Sequence, residues 1–469
     1  MAAAEWGKCE ETWMLENGWC RATCGHCNGT TTTTATAPTL SPTAIAPTLS
    51  PTAQLTGSTA EYAKVLGMSW LFYEAQRSGK LPANNRVPWR GDSHLDDKVP
   101  GGWHDAGDHL KLNFPMATSA AFLAWGVIEF QEAYQQTGEL QHASSSLRWV
   151  ADYLMGCHQG DSYIGQIGDP GRDHAYWGRP EDQTGSRPYY VWDASKPGSD
   201  LIGAAASALA AIFLVFKDTD AAYASNCLTH AKQLYTLASQ NRGKYSDSIP
   251  SVTYVYMSAN YLDDLAFAAA WLYRATVFPA VDNLLLSLGV NGSEAVNGDI
   301  QWQFNTFLKN WQQGQNGLKF SPKGLAIAPL GGWGNLRHSA NAAFIMVLHA
   351  KYTTDPATRQ SCLQFAQKQI DYMLGSTGRS YVVGYGSNPP AQPHHRSASC
   401  PDRPAECSYN SAFNNPGPNP QILYGGLVGG PNDNDSYQDK RSDYVGNEVA
   451  VDYNAGFTGA LAGLIQLLP

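Results

Sequence analysis

The sequence predicts an all-α domain, and the spacing of its apolar residues is the main observation behind that prediction. Nine segments after residue 58 repeat apolar residues at the spacing of one helix face, whereas strand-like alternation is rare. Gly- and Pro-rich loops separate many of these segments, and loops of such length inside a compact domain are usually functional. A helical domain of about 410 residues is too large for a simple bundle, so we expect a closed ring of helical hairpins.

The predicted helices follow one another from residue 60 to the C-terminus. Several are rich in alanine, as in residues 203–212, and small side chains let neighbouring helices approach closely. The predicted segments are Ala60–Ser78, Ala117–Gln136, Ser144–Met155, Leu201–Phe216, Ala221–Ser239, Leu262–Thr276, Ser339–Tyr352, Thr358–Leu374 and Ala455–Leu468.

Composition and charge exclude several classes of protein. The formal charge is −9 and no basic run appears, which argues against a nucleic-acid-binding surface. No apolar stretch approaches the roughly 20 residues that span a bilayer, so we expect no membrane partner. The chain has 14 Trp and 24 Tyr, which exceeds the needs of a core and suggests a surface that stacks against flat apolar faces such as sugar rings. We expect a monomer.

The first 57 residues differ in amino-acid composition from the rest. Residues 1–28 form a small cysteine-rich module with spacing C-x10-C-x3-C-x2-C, which favours two disulfides and leaves zinc as the alternative. Residues 29–57 are rich in Thr, Pro and Ser and contain a near-perfect eight-residue repeat, typical of an O-glycosylated linker between secreted modules. We therefore expect a secreted, extracellular protein, although no secretory apolar region opens the sequence. The third region, residues 58–469, is the predicted helical domain.

Five cysteines remain in the helical domain: Cys157, Cys227, Cys362, Cys400 and Cys407. Cys400 and Cys407 flank a short Pro-rich loop, so these two are expected to pair. The odd count leaves at least one free thiol within the chain.

Two loops early in the domain contain residues suited to chemistry. In residues 101–111, Asp105 and Asp108 are three apart, so both carboxylates point the same way and can hold and deprotonate one water. A capping or calcium-binding pair is the alternative. Residues 169–180 combine His174, two aromatic residues and Arg179 with almost no aliphatic side chain, which suits a wall that binds hydroxyl groups and sugar rings.

Two later loops complete the set. Residues 381–398 contain His394, His395 and Arg396, which suggest a metal site except that no third ligand lies at a suitable spacing. Residues 437–455 place Glu448 among aromatic and amide residues near other acids, and such crowding raises a carboxyl pKa as a general acid requires. A solvated acidic loop is the alternative.

The distance along the chain between these loops bears on the architecture. Asp108 and Glu448 are 340 residues apart in sequence, nearly the whole domain. Hydrolysis of a glycosidic bond needs two opposed carboxyl groups. If these two act together, the first and last hairpins must be neighbours, which favours a closed ring.

These loops resemble glycoside hydrolase family 9, the cellulase family that includes endo-β-1,4-glucanases. Residues 380–396 fit one signature of that family, ending in Pro393-His394-x-Arg396, and residues 437–455 fit another that includes Asp439 and Glu448. The resemblance extends over about residues 59–469.

The resemblance implies an (α/α)6 barrel and hydrolysis with inversion at the anomeric carbon. By residue, it implies that Glu448 is the general acid, that Asp108 is the base, and that Asp105 holds the same water. His394 and Arg396 are expected to bind the sugar on the water side, and Asp439 to be a further catalytic acid of the second signature. The residues implied to line the glucan subsites are His174, Trp177, Trp333, Arg337 and Tyr453.

The family resemblance also implies a structural calcium site near Asp263 and Asp264, although the second position is usually Glu in the family and no third ligand is identified. The chemistry itself is expected to need no cofactor. His338 and Phe267 depart from the Tyr and Trp usual in the family, and residues 277–325 match it poorly.

The function implied is secreted endo-hydrolysis of β-1,4-glucosidic bonds in cellulose or related β-glucans. Three alternatives stay open: a processive or exo-acting β-1,4-glucanase, a non-catalytic glucan-binding wall protein, and a calcium-dependent adhesion module. The N-terminal module is a candidate binder of cellulose or cell-wall material.

Overall fold

The computed structural model describes residue 55 and residues 57–276 and 294–469, with no side chains described for residues 294–301. The predicted module of residues 1–28, with its four cysteines, lies outside the described residues, as does nearly all of the linker of residues 29–57. The disulfide, zinc and binding predictions for that module therefore stay predictions.

Ten long helices dominate the described chain. Nine of them correspond to predicted segments, although the single predicted segment Ala117–Gln136 spans two helices, Asn113–Glu129 and Gln131–Gln136, and α11 was not predicted. The long helices are α1 (Gly57–Ala75), α2 (Asn113–Glu129), α4 (Leu140–Cys157), α6 (Ser199–Phe216), α7 (Ala221–Gln240), α10 (Leu262–Thr276), α11 (Glu294–Gln313), α12 (Asn335–Tyr352), α13 (Pro356–Leu374) and α15 (Val451–Leu467).

The remaining elements are short. The short helices are α3 (Gln131–Gln136), α5 (Pro170–His174), α8 (Tyr245–Ser248), α9 (Pro250–Thr253), α14 (Arg396–Ser399) and a π-helix (Tyr409–Phe413). The strands are β1 (Lys111–Leu112), β2 (Ser162–Ile167), β3 (Tyr189–Asp193), β4 (Lys319–Phe320) and β5 (Ala326–Ile327).

A three-stranded antiparallel sheet ties two of the predicted functional loops together. The strand order is β1-β2-β3, with Lys111 opposite Ile167 and Ser162 opposite Asp193. Because β1 directly follows the Asp105–Asp108 loop and β2 directly precedes α5, the sheet sets the first two loops side by side. The second sheet pairs only β4 with β5.

The long helices form the closed ring that the sequence predicts, an (α/α)6 barrel. Inner helix α6 packs against α2 and α10, and inner helix α12 packs against α15. Helices α7 and α13 pack on the outside of α6 and α12. The ring closes where the last helix, α15, packs against α2 and α1.

Small residues on α15 make this closure tight. A Cβ built on Gly459 would lie 2.5 Å from Phe344 of α12, and one on Gly463 would lie 2.5 Å from Val347. Since real Cβ atoms do not approach that closely, any larger residue would push α15 away from α12. The Gly-rich sequence of α15 is therefore required by packing.

Buried polar contacts also cross the closure. Asn454 of α15 donates to Ser69 Oγ of α1 over 3.0 Å and accepts from the Leu427 backbone N–H over 2.9 Å. The Tyr73 hydroxyl of α1 donates to the Val451 carbonyl over 2.7 Å. Satisfied polar groups in a core fix one arrangement, because any shift leaves them unpaired. The end of the chain is thereby set in register with its beginning.

Two predictions about apolar and cysteine residues can be compared with the structure. Among the described residues one helix, α6, is long and apolar enough to cross a membrane, but 89% of it is buried inside the barrel, as in a core helix. The pairing of Cys400 with Cys407 is confirmed. Cys157, Cys227 and Cys362 are free and buried.

Candidate active site

A cleft of about 810 Å³ crosses one end of the barrel. It is built from the loops that the sequence singles out, and ten of the thirteen predicted site residues line it. The ten are Asp105, Asp108, His174, Trp177, Trp333, Arg337, His394, Arg396, Glu448 and Tyr453.

The loop carrying the two aspartates is bonded directly to the other side of the cleft. The Asp105 carbonyl accepts from the Val451 N–H over 2.9 Å, and the Gly107 carbonyl accepts from the Arg396 N–H over 3.0 Å. A Cβ on Gly107 would lie 2.0 Å from the His394 carbonyl oxygen, so only glycine fits between the two loops. Three loops distant in sequence are therefore held in fixed mutual positions.

The two aspartates have different surroundings. Asp105 is 2% exposed, and no described residue donates to its buried Oδ1. Burial raises the pKa of Asp105 well above its ordinary value, and Asp108, Asp452 and Glu448 raise it further. The free Oδ1 can accept a hydrogen bond from a water molecule.

Asp108 faces the cleft and is paired with a histidine. Its Oδ2 lies 3.2 Å from His174 Nε2, and its Oδ1 accepts from the Leu110 N–H over 3.3 Å. The hydrogen bond with Asp108 raises the pKa of His174, since the carboxylate favours the imidazolium. A carboxylate so oriented can take a proton from a water on the Asp105 side.

Glu448 is positioned by backbone pairing next to His394, with which it forms a parallel bridge. Its carbonyl accepts from the Gly429 N–H over 2.8 Å. Burial raises the pKa of Glu448 well above its ordinary value, Asp108 raises it further, and Arg396 opposes the shift. The side chain therefore retains its proton at a higher pH than an ordinary glutamate does, as a general acid must.

His394 is held in one tautomer. Its Nδ1 lies 2.6 Å from the Arg441 carbonyl, which can only accept, so Nδ1 carries the proton and Nε2 is left as an acceptor. Burial lowers the pKa of His394 to about 4, so the ring is neutral near pH 7. A neutral Nε2 can accept a hydrogen bond from a sugar hydroxyl.

Arg396 and its neighbour His395 have separate tasks. The Arg396 guanidinium pairs with Asp173 and lies 5.6 Å from the ring centre of Trp177. His395 is absent from the cleft lining: its Nδ1 accepts from the Ala398 N–H over 3.0 Å and its Nε2 faces Gln76 Oε1 at 2.9 Å. Both ring nitrogens of His395 are thus occupied by structural bonds.

The structure places Asp439 outside the cleft lining, in contrast to the predicted catalytic role. Its carboxylate accepts from the backbone N–H groups of Ala391 and Gln392 over 2.7 and 2.9 Å, and from Asn447 Nδ2 over 3.2 Å. With both oxygens engaged, Asp439 fastens the chain before His394 to the chain before Glu448.

Asp263 and Asp264 also lie outside the cleft lining. Burial, together with Asp263 and Asp200, raises the pKa of Asp264 to about 8. Asp200 Oδ2 is buried, and no described residue bonds it. Asp263 and Asp264 are in no group of three possible metal ligands within 4.8 Å of one another. Within the described chain that condition is met by Asp108, Asp173 and His174.

The sequence analysis missed Asp452. It forms an ion pair with Arg337 over 2.6 Å, and the Tyr256 hydroxyl donates to its Oδ1 over 2.9 Å. It also raises the pKa of both Asp105 and Glu448. The available signal was its place four residues after Glu448, inside the stretch of residues 437–455 that resembles the second family signature.

Aromatic lining residues were missed as well. Tyr444 was not predicted; its ring centre lies 5.5 Å from that of the predicted Trp333, and the two side chains are 54% and 44% exposed, so both offer faces to a ligand. The other missed aromatic residues of the lining are Tyr254, Tyr256, Tyr409 and Phe413. Among these, Tyr444 lies inside the stretch of residues 437–455, where its position beside Glu448 was a usable signal.

The fold and the cleft together define a glycoside hydrolase: a glutamic acid of raised pKa, a pair of aspartates that shares its cleft, and aromatic walls at the end of a helical barrel. The chain belongs to glycosyl hydrolase family 9, whose family model matches residues 62–285 and 277–461.

Characterised relatives and solved structures agree with this membership. Endoglucanase A of Bacillus pumilus is 41% identical over 450 residues, which cover 87% of this chain and 66% of that relative. The structure of an endoglucanase from the termite Nasutitermes takasagoensis is 47% identical, with a TM-score of 0.78, covering 87% of this chain and 99% of that one. The cellulase Cel9M of C. cellulolyticum, solved with cellobiose, is 34% identical with a TM-score of 0.75, covering 87% and 99% respectively.

Proposed function

We propose that this chain hydrolyses internal β-1,4-glucosidic bonds of cellulose or a related β-glucan, with inversion at the anomeric carbon. The observation that carries the proposal is that Glu448, whose pKa is raised, lies with the Asp105–Asp108 pair in one aromatic cleft. The relatives named endoglucanase, and the family structure solved with cellobiose, support this substrate class.

The roles follow from the surroundings of each carboxyl group. Glu448 gives its proton to the glycosidic oxygen as the bond to the anomeric carbon breaks. A water that donates one hydrogen bond to Asp105 Oδ1 attacks that carbon from the opposite face, and Asp108 takes the proton that the water loses. His394 and Arg396 bind the sugar on the water side. One proton leaves Glu448 and one arrives at Asp108, so solvent must reset both groups before the next turnover.

Substitution of each carboxyl group tests the assignment. Glu448→Gln should lower turnover on unactivated glucans by about 10³-fold or more, because the leaving oxygen then departs unprotonated, while glucan affinity stays nearly intact. Asp108→Asn should lose activity to a similar extent. NMR of the first product formed should show the α-anomer.

The control for folding is the unfolding midpoint, which should stay within a few degrees of the wild-type value in both variants. Near-wild-type activity of Glu448→Gln would contradict the acid assignment, and a β-anomeric first product would contradict inversion.

Internal cleavage distinguishes the proposed activity from a processive or exo-acting enzyme. An endo-acting enzyme cuts carboxymethylcellulose far from its ends, so viscosity should fall steeply for each reducing end released. A shallow fall in viscosity would contradict the proposal. A glucan-binding protein without activity would release no reducing ends at all.

We also propose that a calcium ion binds near Asp200, Asp263 and Asp264 and draws the three carboxyl groups together, because their ligand atoms do not all lie within 4.8 Å of one another in the described chain. The proposal is supported by the unbonded Asp200 Oδ2 and by the raised pKa of Asp264, which is caused first by burial and then by the charges of Asp263 and Asp200. Oxygen ligands of this kind suit calcium. Millimolar calcium should raise the unfolding midpoint of chelator-treated protein, and Asp264→Asn should abolish the rise. An equal rise of the unfolding midpoint in wild type and variant would contradict this site. The ion is proposed to stabilise the fold and takes no part in the proposed hydrolysis.

Secretion is proposed on the linker composition, on the cysteine-rich module of residues 1–28, and on the disulfide between Cys400 and Cys407. We propose that the module binds insoluble cellulose or wall material and that the catalytic domain works alone as a monomer. Deletion of residues 1–57 should then reduce binding to insoluble cellulose without changing hydrolysis of soluble glucan.

A further inference from the structure

Two histidines outside the cleft face each other across neighbouring helices. His158 directly follows α4, and His230 lies within α7, which packs against α4. Their Nδ1 atoms lie 2.9 Å apart, and the ring planes cross at 76°. Both side chains are partly exposed, and neither lines the cleft. The proposed hydrolysis makes no use of this pair.

The hydrogen bonds of His158 fix where its proton lies. His158 Nε2 is 2.9 Å from the Gly160 carbonyl, which can only accept, so the proton is on Nε2. Nδ1 therefore carries a lone pair that points at His230. A histidine that binds a metal usually donates its other ring N–H to a carbonyl or carboxylate, as His158 does to Gly160.

His230 can present a second lone pair at the same point. In the metal-free pair, His230 Nδ1 carries a proton and donates it to His158 Nδ1. The neutral imidazole can instead carry its proton on Nε2, and partial exposure of the ring allows that N–H to bond water. Both Nδ1 atoms then offer lone pairs from positions 2.9 Å apart, and a tilt of each ring turns the two lone pairs toward one ion beside the line that joins the nitrogens.

The separation of the two nitrogens matches adjacent ligands of one metal ion. With metal–nitrogen bonds of about 2.05 Å, two ligands at a right angle are about 2.9 Å apart, and two tetrahedral ligands are about 3.3 Å apart. The right-angled arrangement is typical of Cu²⁺, which also binds nitrogen ligands more tightly than the other divalent first-row metals do.

The charge around the pair favours a cation. Partial burial lowers the pKa of both His158 and His230, so both rings are neutral and able to bind a metal near pH 7. The exposed carboxylate of Asp161 acts on His158 through its negative charge. Apart from His158, which lowers the pKa of His230, neither a lysine nor an arginine of the described chain contributes to either shift.

We propose that His158 and His230 form a bidentate site for a divalent transition-metal ion, Cu²⁺ in preference to Zn²⁺, with water completing the coordination. The bound ion would join the end of α4 to the middle of α7 on the outside of the barrel. Because the site is separate from the cleft, its occupation should leave hydrolysis unchanged and raise the unfolding midpoint.

Copper titration of the full chain tests the site. Metal-free protein titrated with Cu²⁺ and followed by electron paramagnetic resonance should show one equivalent with hyperfine coupling to two imidazole nitrogens. His158→Ala and His230→Ala should each lose that one equivalent. His142→Gln, which changes another partly exposed histidine on α4, should retain it. Asp161→Asn should retain the site with weaker binding.

Comparison with the variants isolates this site from any copper held by the cysteines of residues 1–28, since those ligands are the same in every protein tested. The metal-free unfolding midpoints of the two alanine variants should match the wild-type value, which shows that they fold. The proposal is overturned if wild type and His158→Ala bind the same number of copper equivalents. It is also overturned if the lost equivalent is the one that inhibits hydrolysis, because that ion would be bound at the cleft.

Discussion

At the scale of single residues, the site depends on carboxyl groups of the same chemistry that are placed in different surroundings. Asp105 and Glu448 are raised in pKa by burial, whereas Asp108 is in reach of His174 and faces the cleft. The same carboxyl chemistry thereby supplies a proton donor on one side and an acceptor on the other. Asp452 increases the difference between donor and acceptor, because its negative charge disfavours ionisation of Glu448 and so raises the pKa of that residue.

Substitution of Asp452 should move the pH profile. In Asp452→Asn the pKa of Glu448 falls, so Glu448 loses its proton at a lower pH and the alkaline limb of kcat/KM moves to lower pH. Arg337, then unpaired, shifts the limb in the same direction. The measurement is the pH dependence of kcat/KM on a soluble glucan.

Asp218→Asn is the matched control, since Asp218 is 82% exposed and far from the cleft lining. Its alkaline limb should coincide with that of wild type. An unmoved limb in Asp452→Asn would mean that the charge of Asp452 does not reach Glu448.

Whether the sequence could predict a site residue depends on whether that residue acts within a local pattern or through a distant partner. Asp105, Asp108, His394 and Glu448 are in short local patterns, so sequence alone could nominate them. Asp452 acts through Arg337 of another helix, and no local pattern contains that pair. The catalytic role of Asp439 was implied by its place in the second family signature, yet backbone N–H groups occupy its oxygens.

At the scale of elements, short loops are made rigid by bonds to other loops. Asp439 connects the chain at residues 391–392 to Asn447, which lies directly before Glu448. The His394 N–H donates to the Asn447 carbonyl over 2.8 Å, so a shift at Asp439 is transmitted to both sides of the cleft.

Asp439→Ala should therefore act through position. The loss of three hydrogen bonds to a charged acceptor should destabilise the fold by about 2–4 kcal/mol. It should lower kcat while both limbs of the pH profile stay where they are, because no titrating catalytic group has been removed. Asp439→Asn should recover part of the loss.

The control variant is Asp433→Ala, an exposed acid of the same loop that is paired with Lys319. It should change neither kcat nor stability appreciably. Disappearance of one limb of the pH profile in Asp439→Ala would support the catalytic role that the sequence suggested.

The helices were the most predictable elements, because buried faces impose a period of 3.6 residues on the sequence. The positions at which the helices begin and end were less predictable. Helix α2 begins at Asn113, four residues before the predicted start, since its first turn continues directly from β1. Strands such as β1 have two residues, too few for an alternating pattern to appear. Lys111 of β1 can be fully buried because it forms an ion pair with Asp97 over 2.7 Å. No hydrophobic pattern in the sequence indicates that pair.

At the scale of the whole molecule, a cluster of buried histidines links stability to pH. His94, His104 and His109 are all at most 6% exposed, with His94 Nδ1 3.1 Å from His104 Nε2. Burial and nearby arginine charges lower the pKa of all three, that of His94 to about 4. The folded protein therefore keeps these rings neutral where an unfolded chain would protonate them.

The sign of the pH dependence follows from this difference. The contribution of His94 is fully present above pH 6.5, the ordinary histidine pKa, and is lost as pH falls toward 4. From a shift of this size the contribution is at most about 3 kcal/mol. In His94→Asn, the decline in unfolding free energy between pH 6.5 and 4 should be shallower than in wild type, measured by urea unfolding. Asparagine suits the positive φ of +49° at this position.

His142→Gln, which replaces a partly exposed histidine, serves as the comparison and should retain the wild-type slope. If the unfolding free energy of wild type and of His94→Asn declined in parallel as pH falls, the histidine cluster would not be the cause of the loss of stability in acid.

The overall ring was predictable from the helix pattern together with the separation of Asp108 and Glu448. The contacts that close it were not, because Asn454 with Ser69 and Gly459 with Phe344 join residues that are 385 and 115 positions apart. Such pairs become visible only when the two helices are placed side by side.

The closure of the ring by α15 has a consequence for synthesis of the protein. During translation the Asp105–Asp108 loop leaves the ribosome first, and Glu448 follows 340 residues after Asp108, directly before α15. An incomplete chain has the base without the acid, and its barrel lacks the helix that seals α1 and α2. Activity can therefore begin only after α15 has been synthesised and has docked against α1 and α2, so a chain that stops before α15 is inactive.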